Sequence, residues 1–277
     1  MKNHFILILF VILFLIPGKV LAKTETVSFT RYENQNISGI NVGSSFNIEI
    51  IESSNTEAVF EIDAELEKYV KSSLKSGTLT IEVKKLPKNK RNNPHLKMKL
   101  YTPEINKITA SGASSIKLNG KFETNKDVKL TLSGASKIEN SNITTPKVTI
   151  NCSGASKLTS GISATVIRAE VSGASKAELN IDNADNVTLR SSGASNITAK
   201  GISKTAKIST SGASSIKAAQ LKTEYVNADA SGASQAIVHA TKSFNGEASG
   251  ASQIKYGGTP ASVKMNSSKS SSISKIK

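Results

Sequence analysis

Hydrophobic and polar residues alternate along the second half of the chain, and the alternation restarts about every 20 residues. Each restart contains the tetrapeptide Ser-Gly-Ala-Ser, whose first serines are Ser111, Ser133, Ser153, Ser172, Ser192, Ser211, Ser231 and Ser249. The residues five, three and one positions before that serine are mostly apolar and the residues between them mostly polar, as in 148–152, Val-Thr-Ile-Asn-Cys. Alternation with period two predicts a β-strand with one buried face.

Two further buried stretches follow each tetrapeptide. The residue five positions after its first serine is apolar in every copy, and its neighbour at position four is polar. A third inward series comprises Phe122, Ile143, Ile162, Ile181, Ile202 and Leu221. Three buried stretches per repeat predict a coil with three short sides, and stacked coils form a solenoid. We therefore expect an all-β fold, a single-stranded parallel β-helix with eight Ser-Gly-Ala-Ser coils.

The tetrapeptide is expected to form the turn between two of these strands. Its glycine can adopt a positive φ or allow a close approach of the next coil. Its alanine is expected to present a small side chain to the interior. The serines should form columns about 4.8 Å apart along the stack, within reach of one another and of backbone groups. A nucleophilic serine would need a nearby base, but neither His95 nor His239 lies at a fixed offset from the tetrapeptides.

A degenerate ninth coil is expected at the C-terminal end. Ser268-Lys269-Ser270-Ser271 lies 19 residues after Ser249, and Ile273 follows at the position that is apolar in the other copies. Lys275 and Lys277 flank Ile276, the last apolar residue. Lysine at a sheet edge discourages the addition of another strand, so this coil is expected to cap the solenoid.

The region 23–105 lacks the tetrapeptide but still has the pattern of strands. Six stretches predict strands, namely 27–29, 37–42, 46–51, 58–62, 79–83 and 95–101. Residues 63–75 have apolar residues at helical spacing and predict one short helix or turn, and the polar stretch 84–94 predicts an exposed loop. Because no linker follows, we expect 23–105 to form the first, irregular coils of one domain that continues into the repeats of 106–277.

Residues 1–22 have the pattern of a secretory signal peptide. A weakly basic start precedes the apolar run 5–17, and Val20-Leu21-Ala22 supplies small residues for cleavage. The alternative is an N-terminal anchor that stays in place. No second hydrophobic stretch follows, so we expect an exported protein without an integral membrane segment after cleavage: periplasmic, associated with the outer surface, or secreted.

The charge and the single cysteine narrow the possible partners and chemistry. The chain has 36 basic and 21 acidic residues, a net charge of +15, which favours polyanions such as acidic polysaccharide or lipid headgroups. Because the protein is expected to be exported, nucleic acid is not expected as a partner. Cys152 is the only cysteine, so no internal disulfide can form, and its inward position predicts a buried thiol. The turns lack a recurring aspartate, so neither a metal nor a cofactor is expected.

Three lysines occupy the same outward position in successive repeats. Lys137, Lys157 and Lys176 each lie four residues after the first serine of a tetrapeptide. Stacked about 4.8 Å apart, their ammonium groups would repel one another, and an extended polyanion such as an acidic glycan or cell-envelope polymer could relieve that repulsion. The alternative is a solvated face that keeps the protein soluble. Glu139 and Glu178, two residues further on, could neutralise part of this strip.

Several of these elements together resemble the DUF2807 family, described as a "putative auto-transporter adhesin, head GIN domain". The elements are the signal peptide, the strand at Phe46-Asn47-Ile48, the strand 77–81, the segment 101–105 and the repeated Ser-Gly-Ala-Ser. The resemblance covers essentially all of the chain after residue 22. It implies a β-helix-like fold and a role at the cell surface or in the periplasm, and it brings no catalytic residues.

Two classes of function remain open. The first is a non-enzymatic surface or periplasmic module with an adhesin-like or envelope-binding role. The second is a polysaccharide lyase or hydrolase, because parallel β-helices can carry such activity. Those enzymes need clustered carboxylates, usually on long loops, and aromatic residues that stack on sugars. This chain has no tryptophan and short predicted loops, which favours the first class.

Overall fold

The computed structural model describes residues 25–84, 86 and 94–276, and strands account for 68% of the chain against 2% for helix. All 20 described strands belong to one sheet. In the repeat region each strand pairs in parallel with the equivalent strand one coil away. The prediction of an all-β parallel β-helix is therefore confirmed.

The strands divide into a short, irregular set and a long, regular set. The first set is β1 (Thr26–Arg31), β2 (Gly39–Val42), β3 (Asn47–Glu52), β4 (Glu57–Asp63), β5 (Val70–Lys75), β6 (Thr78–Val83) and β7 (Leu96–Thr102). The repeats begin with β8 (Lys107–Ala110), β9 (Ser115–Asn119), β10 (Phe122–Glu123) and β11 (Val128–Leu132). They continue with β12 (Lys137–Cys152), β13 (Lys157–Val171), β14 (Lys176–Ser191), β15 (Asn196–Thr210), β16 (Ser215–Ala230), β17 (Gln235–Ala248), β18 (Gln253–Gly257), β19 (Ser262–Ser267) and β20 (Ser272–Lys275).

Aliphatic columns fill the interior of the solenoid. Residues five, three and one positions before each tetrapeptide, and five positions after its first serine, are at most 6% exposed wherever they are apolar. Equivalent residues stack in register, as Val148 does with Ile167 and Ile167 with Val187. Burying each Val, Leu, Ile or Phe side chain of these columns stabilises the fold by about 1.5–3 kcal/mol. The inward positions predicted from the alternation are thus confirmed.

One member of the third inward series was predicted wrongly. Ile202 is 55% exposed, and Gly201 takes its place in the column between Ile181 and Leu221. The backbone of Gly201 has a φ of +123° and lies against the carbonyl of Ile181, where a Cβ would overlap that carbonyl. Because Gly201 fills the inward position, the next residue along the strand points to solvent.

The alanine of the tetrapeptide was also predicted wrongly. Every one of the eight alanines is exposed, and the serine that follows is at most 2% exposed. The glycines have φ values between 65° and 73°, in the left-handed region. This conformation interrupts the alternation of the strand, so that the alanine lies at the outer tip of the turn and the last serine returns to the interior.

The N-terminal region adds one coil to the stack and a layer beyond it. Strands β2 and β3 pair in parallel with β8 and β9 on one side and with β6 and β7 on the other. Antiparallel strands β1, β4 and β5 complete this layer. Of the stretch 63–75 that was predicted to form a short helix or turn, only Ala64–Tyr69 is helical, as a 3₁₀ helix. The prediction was wrong for Val70–Lys75, which forms β5 and pairs with β6. The predicted signal peptide and most of the predicted loop 84–94 lie outside the described residues.

The predicted ninth coil is present. Strands β19 and β20 pair in parallel with β17 and β18, and the amide of Ser268 donates to the carbonyl of Ala248 at 3.1 Å. Its inward residues Val263 and Met265 are 41% and 54% exposed, because no other described strand packs against this coil. None of the described helices has the length and apolar character needed to cross a membrane.

Candidate functional site

The three lysines predicted to form a strip are neighbours in the structure. Lys137, Lys157 and Lys176 begin β12, β13 and β14, and each is registered directly against the next. Parallel strands place such neighbours about 4.8 Å apart. We call these three residues the lysine strip.

Two of the three lysines form ion pairs within their own strands. Lys137 Nζ lies 2.6 Å from Glu139 Oε1, and Lys176 Nζ lies 2.7 Å from Glu178 Oε1. The hydrogen bond from Lys176 lowers the pKa of the Glu178 carboxyl below its usual value, and the positive charge of Lys157 acts in the same direction. Lys157 itself forms no ion pair with any described residue. The lysine strip therefore carries one uncompensated charge between two exposed ion pairs.

The lysine strip belongs to a longer polar column. In register along the stack, the column comprises Asn47, Ser115, Lys137, Lys157, Lys176, Asn196, Ser215, Gln235, Gln253 and Ser272. The amide of Gln235 donates to Gln253 Oε1 at 3.0 Å. The Oγ atom of Ser215 is buried, so a ligand lying along the solenoid axis would meet a hydrogen-bonding or charged group in each coil of the column except that of Ser215.

The last serines of the tetrapeptides have a structural role. Ser136, Ser195 and Ser252 donate to the carbonyls of Ala110, Val171 and Ala230 in the preceding coils, at 2.8–3.1 Å. These carbonyls end the strand that precedes each turn, so the hydroxyls tie successive turns together. Hydroxyls that are buried and committed to backbone groups are poorly placed for nucleophilic attack.

Neither of the two histidines that the structure describes is positioned as a base for these serines. His95 Nε2 lies 2.7 Å from Glu61 Oε1 in the N-terminal layer, away from the repeats. His239, on β17, forms no hydrogen bond with a described serine. Within the described parts of the chain, His, Cys, Asp and Glu form no group of three or more that could hold a metal ion.

Cys152 is a core residue, and its reactivity should reflect that. It is 2% exposed, and burial raises the pKa of its thiol from 9.0 to about 12. Because the thiolate is the reactive form, we expect a maleimide at pH 8 to label the folded protein roughly a thousandfold more slowly than the urea-unfolded protein. The stability should also fall as the pH rises from 9 towards 12, where only the unfolded chain loses this proton.

Labelling kinetics followed by mass spectrometry would check this expectation. Comparable rates in the folded and unfolded protein would show that the interior of this coil opens readily. Residual labelling that scales with urea concentration would instead report unfolding.

Two concave features were not found from the sequence. A groove of about 800 Å³ runs beside the turns and is lined by the first serines of the tetrapeptides from Ser172 to Ser249 and by Glu170, Arg190, Asp229 and Glu247. Asp229 and Glu247 are registered neighbours and form no ion pair with any described residue. Three carboxylates against one guanidinium make this groove unfavourable for a polyanion.

The second concave feature borders the lysine strip. It is a depression of about 770 Å³ at the next corner of the coil, and Asn142, Gly161, Asn180 and Lys200 line it. Glu178, the ion-pair partner of Lys176, lies on its rim. The depression and the lysine strip therefore form one continuous surface.

Comparisons with known proteins relate this fold to solved structures. Two are described as putative adhesins, one from Parabacteroides distasonis with a TM-score of 0.68 and 19% identity, and one from Parabacteroides merdae with a TM-score of 0.65 and 16% identity. A third, a "putative lipid binding protein" from Parabacteroides distasonis, has a TM-score of 0.61 and 19% identity. Each alignment covers 91% of this chain and 97% of the other. At such identities the likeness shows the fold alone.

The sequence itself matches one family model. None of the curated proteins is similar enough to match the chain. Residues 36–260 match the model described as "putative auto-transporter adhesin, head GIN domain", which spans the N-terminal coil and the repeats through β18. The resemblance noted from the sequence is thereby confirmed, and the chain belongs to the DUF2807 family.

Proposed function

We propose that this chain is an exported, non-enzymatic, adhesin-like module of the cell surface or periplasm that binds an acidic glycan or another anionic cell-envelope polymer. The observation that carries the proposal is the lysine strip, in which Lys137, Lys157 and Lys176 lie in register on three neighbouring parallel strands. Family membership supports an adhesin-like role, and two solved structures with this fold are described as putative adhesins.

The polar column suits a linear polymer better than a small ligand. Each coil of the column except that of Ser215 offers one contact, and each exposed contact contributes little by itself. A polymer that follows the axis makes several contacts at once, and each later contact is intramolecular, which raises the overall affinity. Because the charges are exposed, this affinity should fall as the salt concentration rises.

The buried serines favour binding over catalysis. The repeated hydroxyls at the ends of the tetrapeptides donate to backbone carbonyls, and the charged groups of the lysine strip lie on an open surface rather than in a closed cleft. A lyase or hydrolase that acts on the same polymer is the competing function. It would release products with new reducing or unsaturated ends.

Removing the lysine strip tests the proposal. We expect the variant K137Q/K157Q/K176Q to bind polygalacturonate about tenfold more weakly than the wild type, at roughly 0.5 kcal/mol for each lysine. Loss of Lys157 removes the uncompensated charge, and loss of Lys137 and Lys176 leaves Glu139 and Glu178 without their ion-pair partners, so that both carboxylates repel the polymer. Binding would be measured by isothermal titration calorimetry at low and physiological salt. The control is K129Q/K207Q/K264Q, which removes three exposed lysines that share another column but do not lie in neighbouring coils.

The two variants separate the possible outcomes. If K137Q/K157Q/K176Q and K129Q/K207Q/K264Q lose the same amount of affinity, net charge alone attracts the polymer. If K137Q/K157Q/K176Q binds as tightly as the wild type, the lysine strip is excluded as the binding site. Neutral dextran should not bind measurably at this site. Assaying the same mixtures for new reducing and unsaturated ends tests the competing enzymatic function directly.

A further inference from the structure

We infer that the depression beside the lysine strip is a subsite for one sugar ring of an acidic polysaccharide. This inference rests on the proposed function and names the ligand class, a polymer of uronic acid residues. The depression lies where one position in a column of outward-facing residues is a glycine. Asn142, Gly161, Asn180 and Lys200 follow one another in register across four coils, and Gly161 contributes no side chain.

The missing side chain produces the concave shape. Strands β12 and β14 raise Asn142 and Asn180 on either side of Gly161, and the amide oxygen of Asn142 lies so close to Gly161 that a Cβ would touch it. The amide of Asn142 therefore lies over the backbone of Gly161, and the amide of Asn180 borders the depression on the other side. The volume of about 770 Å³ is within the range of sites that hold small ligands.

The groups in the depression match the chemistry of a sugar ring. An amide both donates and accepts hydrogen bonds, as a sugar hydroxyl does. Asn142 and Asn180 are exposed, and neither side chain forms a hydrogen bond with a described residue. Thr159 also lines the depression and offers a third hydroxyl-binding group. A hydroxyl-rich ligand could therefore engage these groups without breaking a protein contact.

The positive charge around the depression favours a sugar with a carboxylate over a neutral sugar. Lys200 lines the depression and forms no ion pair with the described residues, while Glu178 on the rim is already neutralised by Lys176 at 2.7 Å. Lys157 lies two residues before Thr159 on the same strand, so a second cation lies next to the depression. A uronic acid presents both a ring with hydroxyls and a carboxylate, so it can use the amides and the ammonium groups together.

Filling the depression or removing its amides tests the inference. The probes are hexagalacturonate and its methyl ester, which keeps the rings but removes the charge. We expect N142A/N180A and G161T each to weaken the binding of both probes roughly fivefold to tenfold, because the ring contacts are common to them. Gly161 does not have a positive φ, and a Cβ there would overlap only the amide oxygen of Asn142, which can rotate away, so threonine fits without backbone strain. K137Q/K157Q/K176Q should weaken the binding of the acidic probe alone.

The control is N227A/N245A, which removes two asparagines from the outward column of another side. It should bind both probes as the wild type does. If N142A/N180A and G161T bind hexagalacturonate like the wild type while the lysine variant loses binding, the subsite is excluded and the proposed function stands. If the wild type binds neither probe, the uronate ligand class is excluded, and binding of another polyanion through the lysine strip would still support the proposed function. Circular dichroism and thermal unfolding confirm that each variant is folded.

Discussion

Replacing Gly173 by alanine is expected to destabilise the solenoid by about 2–5 kcal/mol. Gly173 has a φ of +68°, and a Cβ at this position would lie 2.5 Å from the carbonyl oxygen of Gly154 in the preceding coil. Backbone surrounds the site, so no flexible side chain can move aside. The substitution therefore combines the cost of the left-handed conformation with a steric clash between coils.

Gly43→Ala is the matched control. Gly43 opens the equivalent turn of the first coil, where the amide of Ser111 donates to the neighbouring carbonyl of Val42. Gly43 does not have a positive φ, and a Cβ there would come no closer than 3.7 Å to another heavy atom. Alanine at this position should change the stability by less than about 1 kcal/mol.

Urea-induced unfolding followed by circular dichroism would compare the two variants. Repeat proteins can open locally, so hydrogen exchange of the amides in β13 and β14 should accompany the equilibrium measurement. Equal unfolding midpoints for the two variants would show that the turns tolerate a side chain. The glycine column would then not determine the spacing of the coils.

The interior columns could be predicted because a strand has a strict period of two. Once the tetrapeptide gives the register, every second residue must face the interior, and the aliphatic columns follow. The prediction of which residues face the interior was wrong at positions where the backbone does not follow this period of two. The positive φ of the turn glycine moved the alanine outside, and Gly201 took the place expected for Ile202.

The strand order of the N-terminal region could not be predicted for a different reason. Alternation identifies a strand but not its neighbours. Strand β2 lies between β6 and β8, so the chain leaves the stack after β3 and returns with β6 and β7 on the far side of the same coil. Only tertiary packing decides such an order, which local periodicity does not contain.

Of the two surface features, the sequence could predict the lysine strip but not the depression. The lysine strip was predictable because its three members lie at equal offsets from their tetrapeptides. The depression was not, because Asn142 lies nine residues after the first serine of its tetrapeptide whereas Gly161 and Asn180 lie eight residues after theirs. A register shift after Ile138, where Asn140 has a φ of 53°, brings them into one column.

Replacing Phe46 by serine is expected to destabilise the protein by about 3–5 kcal/mol, although serine occupies the equivalent position in all eight tetrapeptides. The amide of Ser115 donates to the carbonyl of Phe46 at 2.8 Å, just as the amide of Lys137 donates to that of Ser114. Phe46 therefore begins the column of inward serines. It is completely buried and is among the largest side chains of the core.

The neighbours of Phe46 explain why a hydroxyl would not serve there. A serine of the column usually donates to a carbonyl of the turn or of the preceding coil, as Ser136 does to Ala110. Beyond the first coil lie β6 and β7, which no tetrapeptide connects. Phe46→Ser would thus exchange a large apolar side chain for a cavity that contains a polar group.

Phe46→Leu separates the effect of volume from that of polarity. Phe46→Leu should lower the free energy of unfolding by less than Phe46→Ser does, because leucine keeps most of the apolar contacts without adding a buried hydroxyl. Thermal unfolding would rank the variants, and the serine variant should melt roughly 10 °C below the wild type. If the serine variant instead has the same melting temperature as the wild type, the first coil does not share one core with the repeats. The N-terminal layer would then have to unfold independently of the solenoid.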